Sequence, residues 1–595
     1  MSFFTEVMCI AGVFWLLSAS LFRMNKALRA KRGALVSDLN LHDHAILFLT
    51  SVIFSSVLHG PSLLVTSVTA LALSFYGLLL WLDALLFVQF RIEINRQTLA
   101  WFFTGSKGIS KGIPHLLAPC RIHLWAAFLP IAWIALVWSI FFIVVKGNPV
   151  KSENVYFIAA LGVAALGSVA VVLYTVRRWL PLRTAFFTAP SLLGKVFADD
   201  NFSGDDTLAI YDEHRAFVAP PATGQKKSEL FGQCAGANII LITMESLGNY
   251  LASDVQDGVR SLLAKRFKEN AWHSQQHFCL CPNTTVSTNQ MYTGAYSNNP
   301  YNREDSMYPG VDPQHIARLK ECGYTTMFLD SADIGLYDYH KLLNRIGFDH
   351  IWGTQDLPGR NLRGDYRLWN MVDTVASKVA DKPFFLHLIN DQTHMPYEVI
   401  DKQRFNRHKG RDARATYLNA AEEVDYIFDT FIKRLAEKVD LSNTLLVFTG
   451  DHGESFGEYG YSFHSNSVIL PQMQVPFMMS HPALNSRVLR HSSHFDLFPT
   501  FFDLLGLEYS HKAIGQSLAV ESRPFAYLFH SATLKGNTPA NFGFLFEGEL
   551  YWVDRLFNQV RHVQANQRST TVAGKQREYI CSLLYQMLKQ RAILS

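Results

Sequence analysis

The chain is short of cysteine, of charge and of any run of one charge sign, and each shortage closes off a class of protein. Seven cysteines in 595 residues cannot build a disulfide scaffold. Cys279 and Cys281 lie close together, but a C-x-C without a second Cys/His pair at finger spacing does not make a zinc finger. They read as packing residues or as one disulfide. Charged residues make up only 17% and the formal net charge is +4. No Lys/Arg run resembles a nucleic-acid arm, which argues against nucleic acid as a partner. There is no internal repeat and no low-complexity tract. The first apolar run lacks a basic leader and a small-residue cleavage site, so it reads as an anchor rather than a cleaved signal peptide.

What the chain does have is apolar mass: 49% hydrophobic residues, with 44 phenylalanines. That is too apolar for disorder, and the length calls for two or more domains. Five runs, 3–22, 42–58, 62–90, 122–145 and 155–176, are long enough to enter or cross a hydrocarbon core of about 30 Å. They predict an N-terminal α-helical transmembrane domain over 1–180. The polar connection 91–121 carries Arg91, Arg96, Lys107 and Lys111, suited to interfacial anchoring or to attracting phosphate head groups. Residues 181–235, with Pro220-Pro221 and Gly224, read as a connector and linker.

Residues 236–595 read differently. Four short apolar runs, 238–243, 325–329, 384–389 and 444–449, are bounded by Gly, Asp, Asn or Ser, and a helical stretch at 417–438 lies between two of them. Strands that are apolar on both faces, alternating with helices, predict an α/β domain with a mainly parallel central sheet. Ligands in such sheets bind beyond the carboxyl ends of the strands. Glu245 follows the first run, His394 the third, Asp451 and His452 the fourth, and His464 arrives on the loop after them. A divalent cation such as Zn²⁺, or Mn²⁺, fits a mixed Glu/Asp/His set with an open position. Taken singly each residue has a plainer reading: a Glu after a strand suits a helix N-terminus, and the pair Thr284-Thr285 could cap a helix. Together they would form a costly cluster of carboxylates and imidazoles unless a metal compensates it.

Met244-Glu245-Ser246, the stretch Asp451-His452-Gly453-Glu454-Ser455-Phe456-Gly457-Glu458, and Ser493-His494-Phe495-Asp496-Leu497-Phe498-Pro499-Thr500 resemble the alkaline phosphatase and sulfatase superfamily over roughly 238–515. The membrane-embedded first third resembles bacterial phosphoethanolamine transferases and lipoteichoic-acid-synthase-like phosphoglycerol transferases. Sulfatases that carry a formylglycine have Cys/Ser-x-Pro-x-Arg, which Cys279–Thr285 does not match. The stretch Thr284-Thr285-Val286-Ser287 with Met291-Tyr292 is similar to the nucleophile segment of the transferases, which implies Thr284 as nucleophile and Thr285 as the alternative. Asn289 departs from the phosphoethanolamine branch, which has Pro there.

The resemblance implies a metal held by Glu245, Asp451, His452 and Thr284 Oγ, with His394 and His464 binding phosphate oxygens, protonating the leaving group or holding a second metal. It implies a multi-pass enzyme of the bacterial inner membrane, its catalytic domain facing the periplasm or exterior. A head group would pass from phosphatidylethanolamine or phosphatidylglycerol, through a covalent threonine, to a hydroxyl of an envelope glycan or glycolipid. Ethanolamine is favoured by the 284–293 and 451–464 segments. The basic cluster Arg23–Arg32 and five spans would instead leave the second half in the cytoplasm; either four crossings or a membrane-surface role for the basic loops reconciles the two. Asp330, Asp333, Asp365 and Trp369 could line an acceptor cleft, although a loop cap or a buried aromatic is the favoured reading of each. The rival readings are a membrane-tethered phosphodiesterase, phosphatase or sulfatase-like hydrolase, and an inactive transporter- or receptor-like protein.

Overall fold

The computed structural model describes most of residues 4–16, parts of 48–85, residues 124–147 and, with short breaks, most of 227–580. The chain divides into two compact units, Met1–Asp199 and Asp200–Ser595. In the first, Leu124–Gly147 is a 24-residue helix whose side chains are described over 130–142. Counted over the described residues, no helix is long and apolar enough to cross a membrane. Trp133 Nε1 donates to the Leu73 carbonyl and Ser55 Oγ to that of Val7, both at 2.8 Å. The expected span at 155–176 and the loop at 91–121 lie outside the described residues, as does most of the connector at 181–235.

The second unit is built on an eight-stranded sheet. Its strands are β1 Asn238–Met244, β2 Ala271–Ser274, β3 Thr325–Asp330, β4 His350–Trp352, β5 Phe384–Ile389, β6 Thr444–Gly450, β7 Phe477–Ser480 and β8 Arg487–Leu489. The order across the sheet is β8-β2-β7-β6-β1-β5-β3-β4. The block β6-β1-β5-β3-β4 is parallel throughout, and β7 runs antiparallel to both of its neighbours. All four predicted strands are present within a residue of their expected ends. The register follows from the sequence: β1 (Asn-Ile-Ile-Leu-Ile-Thr-Met) is buried from its second residue on and sits between two other apolar strands. A chain apolar on both faces is satisfied only when helices cover both sides.

Three helices matter for function. Helix α1, Thr284–Thr293, begins at the N-cap Asn283, whose side chain accepts from Val286 N, and ends at Gly294 with φ 65°, a left-handed position that glycine takes without a Cβ clash. Helix α2, Ala413–Ala436, is capped by Asp412 and overlaps the predicted 417–438, starting earlier and ending two residues sooner. Helix α3, Leu497–Leu505, is buried along its whole length. Beyond it, strands β9 Leu528–His530, β10 Asn541–Phe546, β11 Glu549–Asp554, β12 Gln559–Val563 and β13 Ser569–Thr571 form a second, antiparallel sheet. The sequence analysis did not anticipate this sheet. Its strands are short and interrupted, and apolar periodicity over three to six residues does not separate a strand from a loop. Cys279 and Cys281 are buried and form no disulfide, so the disulfide alternative is set aside in favour of packing.

Asp425 on α2 accepts from the Ser261 hydroxyl and the Leu262 N–H, holding the start of the short helix Leu262–Arg266. Burial pushes its carboxyl up to about 7. Between about pH 4 and 7 the native state therefore keeps a proton that the unfolded chain releases, so this contribution to stability is full below the unfolded pKa and lost as pH rises toward 7. The interval is worth up to about 4 kcal/mol. The thermal midpoint of the Asp425→Asn variant is expected to vary less between pH 4 and 7 than that of the parent; an unchanged pH slope would refute this.

Candidate active site

The carboxyl ends of β1, β5 and β6 lie side by side, and the residues that follow them meet the N-terminus of α1. Glu245 follows β1 directly. Its N–H donates to Asn390 Oδ1 at 3.0 Å and its carbonyl accepts from Thr393 Oγ1 at 2.6 Å, which ties it to the loop after β5. Asp451 and His452 follow β6. Asp451 Oδ1 accepts from the N–H groups of Ser246 (2.8 Å) and His452 (2.7 Å). Thr284 opens α1, with Oγ1 3.1 Å from Glu245 Oε2 and 3.2 Å from His452 Nε2. The neighbouring Thr285 turns its hydroxyl the other way, onto Asn283 Oδ1 at 2.8 Å. Thr284 is thus the hydroxyl that faces the carboxylates, and the cap is Asn283 rather than a threonine.

Hydrogen-bond acceptors outnumber protons here. His452 Nδ1 lies 3.0 Å from the Gly453 carbonyl, which can only accept, so the ring proton sits on Nδ1 and Nε2 presents a lone pair. That lone pair is 3.5 Å from Glu245 Oε1 and 3.4 Å from Asp451 Oδ2. Asp451 Oδ2 is buried and takes part in no hydrogen bond. Burial and the adjacent Asp451 raise the Glu245 carboxyl well above the ordinary range. Burial opposes ionisation of Asp451 as well, but His452 and the surrounding N–H groups hold it below its ordinary value, so of the two it is Glu245 that keeps a proton. Burial pulls His452 down to about 4. An orphaned carboxylate oxygen, a bare imidazole nitrogen, a second carboxylate and one hydroxyl, with the Glu245, Asp451 and His452 donors all within 4.8 Å of one another, fit a divalent cation.

A second set, Glu245, His394 and His464, meets the same spacing. His394 Nδ1 lies 3.0 Å from the Met395 carbonyl, and His464 Nδ1 lies 3.1 Å from Glu454 Oε2, so each turns Nε2 away from that partner. Their environments differ. Burial, and next His464, lower His394. Burial works the same way on His464, but Glu454 and Asp451 outweigh it and leave it above the ordinary value. Glu454 itself is fixed by the Tyr397 hydroxyl, which donates to Oε2 at 2.9 Å.

The six residues expected to form the site, Glu245, Thr284, His394, Asp451, His452 and His464, are therefore brought together. The expected cleft residues divide. Asp330 is buried at the end of β3, where burial and then the nearby acids raise its carboxyl, and Asp365 accepts from Ser331 Oγ (2.6 Å) and the N–H of Gln392 (3.0 Å). Both stand behind the loop that carries His394. Asp333 accepts from Gly335 N and Gln355 Nε2 in a local turn. Trp369 does not join them: its Nε1 donates to the Ile427 carbonyl at 2.9 Å, and its ring packs on Tyr366, Tyr426 and Arg434 beside α2. Three contributors escaped the sequence reading. Ser287 Oγ donates to the Asp451 carbonyl at 2.7 Å, His494 Nδ1 meets that hydroxyl at 3.1 Å, and Asn283 is the helix cap. An Asn directly before a helical stretch is the one signal that could have flagged a member of this group.

Comparison with known proteins finds a family match in the second half of the chain. The sulfatase family model matches residues 237–507. The lipoteichoic acid synthase-like protein YvgJ of Bacillus subtilis (strain 168) is 23% identical over 351 residues, covering 53% of this chain and 54% of that protein. Arylsulfatase K of Canis lupus familiaris is 28% identical over 117 residues, 19% of this chain and 22% of that protein. The chain thus spans about half or less of the relatives it matches. Among solved structures, the lipoteichoic acid synthase LtaP from Listeria monocytogenes aligns at a TM-score of 0.48 and 16% identity, covering 62% of this chain and 94% of that one. Residues 237–507, which carry the parallel sheet and the acid, histidine and threonine cluster at its carboxyl edge, match the sulfatase family.

Proposed function

We propose that the chain is a membrane-anchored, metal-dependent transferase that moves a phospholipid head group, through a covalent intermediate on Thr284, to a hydroxyl of an envelope glycan or glycolipid. The observation that carries this is the Thr284 hydroxyl at 3.1 and 3.2 Å from Glu245 and His452, at the mouth of an acceptor-rich cage. Glu245, Asp451, His452 and Thr284 would hold the ion, which supplies a lowered hydroxyl pKa and charge stabilisation at phosphorus. In the first half-reaction Thr284 Oγ1 releases its proton to water and bonds to phosphorus, and the bond from phosphorus to the diacylglycerol oxygen breaks. His464, whose Glu454 partner favours the imidazolium, gives that oxygen a proton from Nε2. In the second half-reaction the acceptor oxygen bonds to phosphorus, the bond from phosphorus to Thr284 Oγ1 breaks, His464 takes up the acceptor's proton, and Thr284 Oγ1 regains a proton from water. His394, lowered by burial and by His464, suits a neutral ligand to a phosphate oxygen or to a second ion.

Phosphoethanolamine is the favoured head group. Glu245, Asp330, Asp365, Asp451 and Glu454 gather at this edge of the sheet. Their ion-pair partners among the described residues are the histidines His452 and His464, with no lysine or arginine. Such a surplus of acid complements an ammonium group. Phosphoglycerol is the second reading, supported by the lipoteichoic acid synthase-like relatives. The 62–90 and 122–145 runs support anchoring beside a lipid donor that does not leave the bilayer readily. The test is peptide mass spectrometry over 279–303 after incubating the full chain in detergent with mixed bacterial phospholipids and no acceptor. An adduct on Thr284 is expected, and its mass names the head group. Release of diacylglycerol without an adduct would favour the hydrolase, and neither product, with metal present, would overturn both.

A further inference from the structure

The segment that delivers His464 is bent in an unusual way: Phe463 and Ser465, on either side of the histidine, both hold left-handed backbone, with φ 66° and 71°. Residues with a Cβ occupy this region at a cost, and they persist there when surrounding contacts over-determine them. Those contacts are present at each residue in turn. Ser455 Oγ donates to the Phe463 carbonyl at 2.6 Å. The Ser465 carbonyl accepts from Ala532 N at 2.9 Å, and the Asn466 carbonyl accepts from Asn541 Nδ2 at 3.2 Å. Ala532 and Asn541 flank the second sheet at β9 and β10, beyond the part of the chain that the sulfatase family matches.

The Ser465 side chain reaches the opposite way. Its Oγ donates to the Pro282 carbonyl at 3.1 Å and accepts from Asn283 Nδ2 at 3.2 Å. Asn283 spends its other amide atom, Oδ1, on the N–H of Val286 and the hydroxyl of Thr285, so the residue Ser465 holds is the N-cap of the helix that begins with Thr284. One hydroxyl therefore joins the residue after His464 to the residue before Thr284. A hinge in either segment would otherwise let the two move apart, because they are separated by 182 positions in sequence.

We propose that Ser465 is a positioning residue: a strut, braced from behind by the C-terminal sheet, that sets the distance between the Thr284 nucleophile and the Nε2 of His464. The inference rests on the reading of Thr284 as nucleophile and His464 as the proton donor to the leaving oxygen. It adds that their spacing is held by the Asn283–Ser465 link and not by the central sheet alone. Reaction geometry is sensitive to displacements of about 1 Å, and outer supporting contacts of this kind are worth about 10- to 100-fold in activity.

The test uses two substitutions that spare stability. Ser465→Gly removes the hydroxyl and also relieves the left-handed backbone, which glycine adopts freely. Asn283→Ser keeps a helix-capping oxygen as good as that of Asn but is too short to reach Ser465. The rate of adduct formation on Thr284 is measured in the full chain in detergent, against the concentration of mixed phospholipid, with bound metal and thermal midpoint recorded for each variant. Each single change is expected to lower the maximal rate about 10- to 100-fold with the half-saturating lipid concentration, the metal content and the midpoint unchanged. The double variant is expected within about twofold of the slower single one, because both remove the same link. A Ser465→Gly rate within twofold of the parent, losses that multiply, or a loss that tracks metal or midpoint would each overturn the strut. A parent chain that forms no adduct overturns the transferase reading itself, and the strut with it.

Discussion

Replacing Thr284 by alanine is expected to lower head-group transfer by on the order of 10³-fold or more while a divalent ion still binds to Glu245, Asp451 and His452. The reasoning is geometric. Thr284 is the hydroxyl of the nucleophile segment aimed at the acceptor-rich cage, whereas Thr285 is occupied as a donor to Asn283. A covalent route that loses the Thr284 hydroxyl loses its nucleophile, so the defect belongs to the chemical step and not to lipid binding. Thr284→Ser restores the hydroxyl at the same position on α1 and is expected to recover most of the rate. Turnover of Thr284→Ala at more than about a tenth of the parent rate would sink the assignment. Metal analysis on the same sample separates a lost nucleophile from a lost ion.

The second large effect concerns the ion. With no cation, Glu245 is held protonated by burial and by the charge on Asp451, and Asp451 Oδ2 has no hydrogen bond. A divalent ion replaces that proton, so binding should release about one proton per ion and tighten as pH rises, as metal sites built from protonated ligands do. Calorimetric titration of chelator-treated protein in two buffers of different ionisation enthalpy reads the proton count directly. Removing the ion is expected to abolish adduct formation and to lower the thermal midpoint, and adding back Zn²⁺ or Mn²⁺ to restore both. Asp451→Asn supplies the control, since an amide in place of the carboxylate removes the charge that keeps Glu245 protonated. It is expected to weaken binding on the order of 10²-fold and to cut the proton release. Metal binding with no proton release would contradict this account of the cage.

Much of this was readable in the residues one at a time. The runs at 238–243, 325–329, 384–389 and 444–449 announced buried strands because five or six mostly apolar residues between turn formers satisfy their backbone and their side chains together only in a covered sheet. Glu245, Asp451 and His452 stood out because polar residues at the ends of such strands face the edge where ligands bind. Thr284 came from a resemblance in its neighbours, and no property of a threonine by itself would have selected it. For Trp369 the favoured reading, a packed aromatic, holds: an aromatic near a strand end has the same local pattern whether it lines a cleft or, as here, packs on the side of a helix under Arg434.

The sequence by itself determined the apolar N-terminal runs, the parallel α/β core of the second half and the types of group that its carboxyl edge presents, because these depend on short-range patterns of burial and on turn chemistry. The tertiary structure alone decided which threonine faces Glu245, which ring nitrogen of His452 meets the Gly453 carbonyl, and that a hydroxyl at 465 meets an amide at 283. Those outcomes depend on the register between β1 and β6, on left-handed residues at 246, 397, 463 and 465, and on a second sheet that braces the loop from outside. Contacts between residues 39 to 205 positions apart are set by how the layers pack, and no local window of sequence contains both partners.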